Sequence, residues 1–136
     1  MNKEKEIIEL GKDYLSEWIT NNPEKRFDLS NLTFENEDFS GWRLSKTVMN
    51  NSKFINCDFS EADLSEISAI NTEFINSNFI KTALYRANLS RSKVTNSNFE
   101  NSWLYRCVFS DAKIIDCNFH LAKAQKVRWP SGFHLN

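Results

Sequence analysis

Every fifth residue from Phe34 to Ala124 is apolar: Phe34, Phe39, Leu44, Met49, Phe54, Phe59, Leu64, Ala69, Phe74, Phe79, Leu84, Leu89, Val94, Phe99, Leu104, Phe109, Ile114, Phe119 and Ala124. Of these 19 positions 14 are Phe or Leu, and nine of the chain's 11 phenylalanines fall in this one register. A second column runs two residues earlier, from Thr47 to Ala122, and only Ile67 in it is not small. A large apolar residue with a small one two positions before it fits neither the 3.6-residue period of a helix nor the two-residue period of a strand. It describes a chain that turns a corner every five residues and points two side chains inward on each side.

At a spacing of 20 the similarity becomes identity. Phe39, Phe59, Phe79, Phe99 and Phe119 form one core ladder, and Leu44, Leu64, Leu84 and Leu104 form a second. Asn36, Asn56, Asn76 and Asn96 are followed by Asp116. Four pentapeptides therefore make one coil, and identical side chains one coil apart nest in the same rotamer without voids. The units EADLS at 61–65, RANLS at 86–90, SNFEN at 97–101 and CNFHL at 117–121 resemble the pentapeptide-repeat family, whose unit is written A(D/N)LXX. The resemblance covers about residues 27–128 and implies an all-β solenoid, a right-handed quadrilateral β-helix of about five coils. Asn and Asp before the large residue are expected to stabilise the corners by side-chain-to-backbone hydrogen bonds, which suits a chain with three glycines.

A solenoid needs both ends covered. Residues 3–20 predict one capping α-helix, with Ile7, Leu10, Tyr14 and Trp18 on one face and Ile8, Leu15 and Ile19 beside them. The chain then divides into this cap and its linker (1–26), the pentapeptide-repeat β-helix (27–128) and a C-terminal cap or tail (129–136). Trp129 keeps the repeat register, and Pro130 with Gly132 ends it. Trp129 and Phe133 are placed either over the last coil or against a second copy. Relatives in the family dimerise end to end, so a homodimer is one expectation.

Composition narrows the chemistry. Three cysteines without CxxC spacing read as free thiols: Cys57 and Cys117 share an inward column three coils apart, and Cys107 lies on another face. No apolar run approaches the ~20 residues that span a bilayer. The first 15 residues carry scattered acids and no cleavage site, so no signal peptide is expected. Together these suggest a cytoplasmic protein without membrane attachment, and a composition rich in Asn, Lys and Ile suggests a bacterial one. His120 and His134 are the only histidines, and neither sits in a motif with a nucleophile or a carboxylate. No catalytic residue, metal site or cofactor is expected, and the chain is not read as an enzyme.

The surface carries the remaining information. Seventeen basic and 18 acidic side chains nearly cancel, yet they are segregated. Residues 27–75 hold nine acids and three bases, a net of −6; residues 76–128 hold three acids and nine bases, a net of +6. TALYR at 82–86 and SWLYR at 102–106 are copies one coil apart. They set Tyr85 and Tyr105 in one outward column and Arg86, Arg106 and Lys126 in the next, with Trp103 beside them. Exposed Tyr, Trp and Arg together are the composition of an interaction hot spot. The leading expectation is a bacterial protein-interaction module, of inhibitor, immunity or adaptor type, that binds an acidic surface on another protein. An alternative implied by the resemblance is a DNA mimic that binds DNA gyrase or another topoisomerase, as in quinolone resistance. The basic half opposes a continuous polyanion. A third is a single-strand nucleic-acid binder, since stacking platforms with Arg suit single strands; the acidic half opposes it.

Overall fold

In the computed structural model, which describes residues 3–135, two short helices precede a parallel β-solenoid. The helices are α1 (Lys3–Leu10) and α2 (Lys12–Asn21). Strands β1 (Thr33–Glu35), β2 (Lys53–Ile55), β3 (Glu73–Ile75), β4 (Lys93–Thr95) and β5 (Lys113–Ile115) pair in sequence order with a register of 20 residues. These strands form face 1. Isolated parallel bridges at the same spacing define three more: face 2 through Asp38, Asp58, Asn78, Asn98 and Asn118; face 3 through Arg43, Asp63, Ala83, Trp103 and Lys123; face 4 through Asp28, Val48, Ser68, Asn88, Val108 and Arg128. The rod is thus four-sided and five coils deep, with four stacking intervals between them along face 1.

The interior is the large apolar column. Phe39, Phe54, Phe59, Phe74, Phe79 and Phe99 are at most 1% exposed, and so are Leu44, Leu64, Leu84 and Leu104. Rings one coil apart stack nearly parallel: Phe59 on Phe79 at 5.2 Å and 8°, and Phe79 on Phe99 at 4.5 Å and 5°. Rings on neighbouring faces meet edge-on, as Phe74 and Phe79 do at 5.3 Å and 75°. Each such ring contributes roughly 1.5–3 kcal/mol by leaving water. The small column makes room for this, and some of its hydroxyls bond the backbone: those of Ser52, Thr72 and Thr82 donate to the Leu29, Met49 and Phe59 carbonyls, each at 2.6 Å.

Each side ends in a residue of left-handed backbone. Nineteen residues other than glycine, from Asn31 to Lys126, have φ between 50° and 63°, and Gly41 (φ 70°) fills the one gap in the five-residue series. The Asx residues before the large side chain do bond as expected: Asp58 Oδ1 accepts from the Ser60 N–H, and Asn88 Oδ1 from that of Ser90. The corner itself lies three residues later, where the left-handed turn is made.

The N-terminal cap differs from the single helix expected. Gly11 at φ 103° and ψ 176° breaks it, a conformation open to glycine and strained for an L side chain. The break reorients α2, so Leu10 (62%) and Tyr14 (49%) face solvent while Ile8 and Leu15 are buried. Trp18 packs edge-on against Phe27 at 5.1 Å. At the other end, Trp129 stacks on Phe109 at 5.3 Å and 3°, and Phe133 folds back onto Trp129 at 4.8 Å. Both rings lie over the last coil and stay half-buried.

Candidate protein-interaction face

Face 3 carries the residues singled out by the sequence, and its backbone fixes them. The Glu66 N–H donates to the Tyr85 carbonyl (2.8 Å), that of Arg86 to Tyr105 (2.9 Å), and that of Arg106 to Gln125 (3.1 Å). Each aromatic or basic side chain therefore starts one coil above its counterpart, about 4.8 Å apart. Tyr85, Arg86, Arg106 and Lys126 are exposed, and Trp103 and Tyr105 are half-buried. The Arg106 guanidinium lies 5.5 Å from the Tyr105 ring centre and the Lys126 ammonium 5.9 Å. Hydrogen bonding from Arg106 first, then the charges of Arg106 and Lys126, hold the Tyr105 phenol below its ordinary value. Lys123 sits 5.0 Å from the Trp103 ring and completes the group. Sequence reasoning passed over Lys123, although it stands 20 residues after Trp103 and its place was readable from that spacing.

The four corners differ in what fills their left-handed positions. The corner after face 1 holds Asn36, Asn56, Asn76, Asn96 and Asp116. The one after face 4 holds Asn31, Asn51, Asn71, Arg91 and Asp111; the one after face 2 holds Gly41, Glu61, Lys81, Asn101 and Leu121. The corner after face 3 holds Lys46, Glu66, Arg86, Arg106 and Lys126, with no Gly, Asn or Asp among them. Side chains other than Gly, Asn and Asp cost about 1 kcal/mol in this conformation. Face 3 is the edge on which every residue bears that cost, and every one is charged.

The thiols and histidines form no reactive group. Burial pushes the Cys57 thiol up to about 11, and burial also raises Cys107 and Cys117, which keeps the nucleophilic thiolate scarce. His120 is exposed on face 2, its backbone N–H bound to Asn118 Oδ1. Among the described residues no group of three or more His, Cys, Asp or Glu could hold a metal ion, and no helix is long and apolar enough to cross a membrane.

Comparison with known proteins accords with this geometry. Residues 12–105, from the first residue of α2 onward, match the family model described as the luminal domain of SV2A, SV2B and SV2C, and residues 95–128 match the model of pentapeptide repeats. No match was found among curated protein sequences. Among solved structures, a pentapeptide-repeat protein of the Arabidopsis thaliana thylakoid lumen aligns with a TM-score of 0.67 at 21% identity, over 69% of this chain and 66% of that one. The chain thus spans just under two thirds of that protein's length. HetL of the cyanobacterium Nostoc, involved in heterocyst differentiation regulation, aligns at 0.49 and 20% identity over 71% and 44% of the two chains. QnrB1, a plasmid-mediated fluoroquinolone resistance protein, aligns at 0.40 and 20% identity over 70% and 61%.

These matches correct the cytoplasmic placement. The model spanning most of the chain describes a luminal domain, and the thylakoid-lumen protein is a luminal one as well. The cysteine argument failed for a physical reason: the thiols occupy small inward positions of the core, where separation and burial keep them unpaired in any redox environment. The register of 20, the four-sided coil and both family models together place the chain in the pentapeptide-repeat family, in the group whose model is the SV2 luminal domain.

Proposed function

We propose that the protein is a non-enzymatic binding module, of inhibitor, immunity or adaptor type, whose face 3 engages an acidic surface on a protein partner. Pentapeptide-repeat proteins are structural and interaction modules, and this assigns that role to one face of one rod. The observation that carries the reading is the corner column Lys46, Glu66, Arg86, Arg106 and Lys126. Charged side chains stand in left-handed positions that Asn or Gly would fill at lower cost. Conformation alone does not account for the choice, whereas contact with a partner does, because backbone strain persists where the side chain is needed. Tyr85, Trp103 and Tyr105 beside the column supply rigid apolar area within the charged surround.

The same column disfavours a mimic of duplex DNA that binds gyrase, since such a surface must be negative along its length. A luminal compartment agrees better with the two matches and supplies the setting in which the partner is sought. The test is affinity capture from a lysate of the source cells, with mass-spectrometric identification of the captured chain. Replacing Tyr85, Trp103, Tyr105 and Arg106 together by Ala is expected to abolish capture and leave the circular dichroism unchanged. Capture that survives the fourfold change overturns the assignment of this face. Capture of nucleic acid alone, falling steeply with salt, overturns the protein-partner reading.

A further inference from the structure

A second basic site lies where the cap meets the rod. The end of α2, the linker and the first coil of face 3 enclose a pocket of about 330 Å³, a size suited to a small molecule. Lys25, Arg26, Arg43 and Lys46 line it, and no acidic side chain does. The surrounding half of the rod carries the net charge of −6, and Arg43 and Lys46 are two of its three bases. Both thus converge on this pocket, and two further cations reach it from the linker.

The two guanidiniums are held by neutral oxygen acceptors. Arg43 Nη1 donates to Thr20 Oγ1 at 2.9 Å, and that hydroxyl in turn donates to the Ser16 carbonyl at 3.0 Å. Arg26 Nη2 donates to the backbone carbonyl of Glu66 at 3.3 Å. The Glu66 carboxylate meets Lys46 Nζ at 4.0 Å, a long exposed pair that is weak in water. Each guanidinium has five N–H donors, so most of them remain for a ligand. Ser45 adds a hydroxyl, and Ile19 and Phe27 give the pocket an apolar side.

The geometry points to a binding site for a small organic ester of a tetrahedral oxyanion, a phosphate or a sulfate. Two guanidiniums fit the oxygens of such a group in bidentate fashion, and the two ammonium groups balance its charge. The apolar side receives the organic part. The four cations repel one another when the pocket is empty, and an anion relieves that repulsion.

The experiment is a titration of the full chain with inorganic phosphate and, separately, with sulfate, followed by amide and guanidinium NMR shifts at ionic strength held constant with chloride. The expected result is saturable shifts at Thr20, Arg26, Arg43 and Ser45 with either ion, the tighter of the two naming the ester class. R26Q/R43Q should weaken the affinity at least tenfold, and R86Q/R106Q should leave it unchanged. Because Arg43 also ties α2 to the rod, K25Q/K46Q serves as a second variant and should weaken it at least threefold. Shifts that never saturate, or that chloride alone reproduces, overturn the proposal. Equal affinity in the wild type and both pocket variants overturns it as well.

Discussion

The corners after face 1 and face 3 bend the same backbone through the same left-handed turn, with φ of 50–59° in one and 58–63° in the other. The first solves the turn locally. Asn and Asp tolerate left-handed backbone because their short polar side chains bond nearby groups, and Asn56 Nδ2 also reaches Asn36 Oδ1 one coil back at 3.2 Å. The second places five charged side chains on the same geometry, and their local contacts are the long Lys46–Glu66 pair at 4.0 Å and the approach of Arg106 and Lys126 to the Tyr105 ring. One corner follows what the backbone prefers; on the proposed reading, the other follows what the side chains present to a partner. A stacked solenoid permits this division, since the interior and the ladder hydrogen bonds hold both corners whatever their side chains favour.

The largest expected effect removes the support that both corners share. Phe79 is fully buried and stacks on Phe59 and Phe99. Phe79→Ala should destabilise the rod by about 3–5 kcal/mol, from lost transfer energy plus the cavity left between two rings. Urea unfolding followed by circular dichroism measures it. A loss below about 1 kcal/mol would mean that the ring stack is not what holds the corners, and the comparison would need another basis.

Next comes the difference between the corners themselves. Asn56→Ala gives up left-handed tolerance and the bond to Asn36, and should cost about 1 kcal/mol. Arg106→Ala exchanges one residue unsuited to the turn for another, and should cost less than about 0.5 kcal/mol. Equal losses at the two sites would show that the corners are built on the same principle after all.

How much of this was legible follows from where each signal sits. The interior was readable because Phe and Leu recur every five residues, and the coil because they repeat at 20. The proximity of Tyr85, Trp103, Tyr105, Arg86, Arg106 and Lys126 followed from the same arithmetic. The corners were placed at the Asx residues before the large side chain, whose bonds to the N–H two residues on are present. The left-handed residue itself was missed, because its position holds Asn, Lys, Arg, Glu and Leu alike and has no hydropathy pattern. The helix break was hidden for the opposite reason: Ile7, Leu10, Tyr14 and Trp18 continue one apolar stripe straight across Gly11, and a single residue decided against it. The basic pocket was out of reach, since Lys25 and Arg26 meet Arg43 and Lys46 only through the path of the linker.

The last change is the most telling, because its sign is unusual. R86N/R106N places the residue preferred by the face 1 corner into the face 3 corner. If charge there is kept for contact and at the expense of the turn, each substitution should stabilise the rod, by about 0.5–1 kcal/mol. The interior is untouched, since both side chains point outward from exposed positions. Partner capture should fall in the same variant, as it does for the fourfold alanine change. Stability and binding would then move in opposite directions at the same two residues, which a corner of purely structural purpose does not produce. Paired unfolding and capture measurements on this one variant decide the matter. A neutral or destabilising result with capture retained would remove the argument that the charged corner is a binding edge.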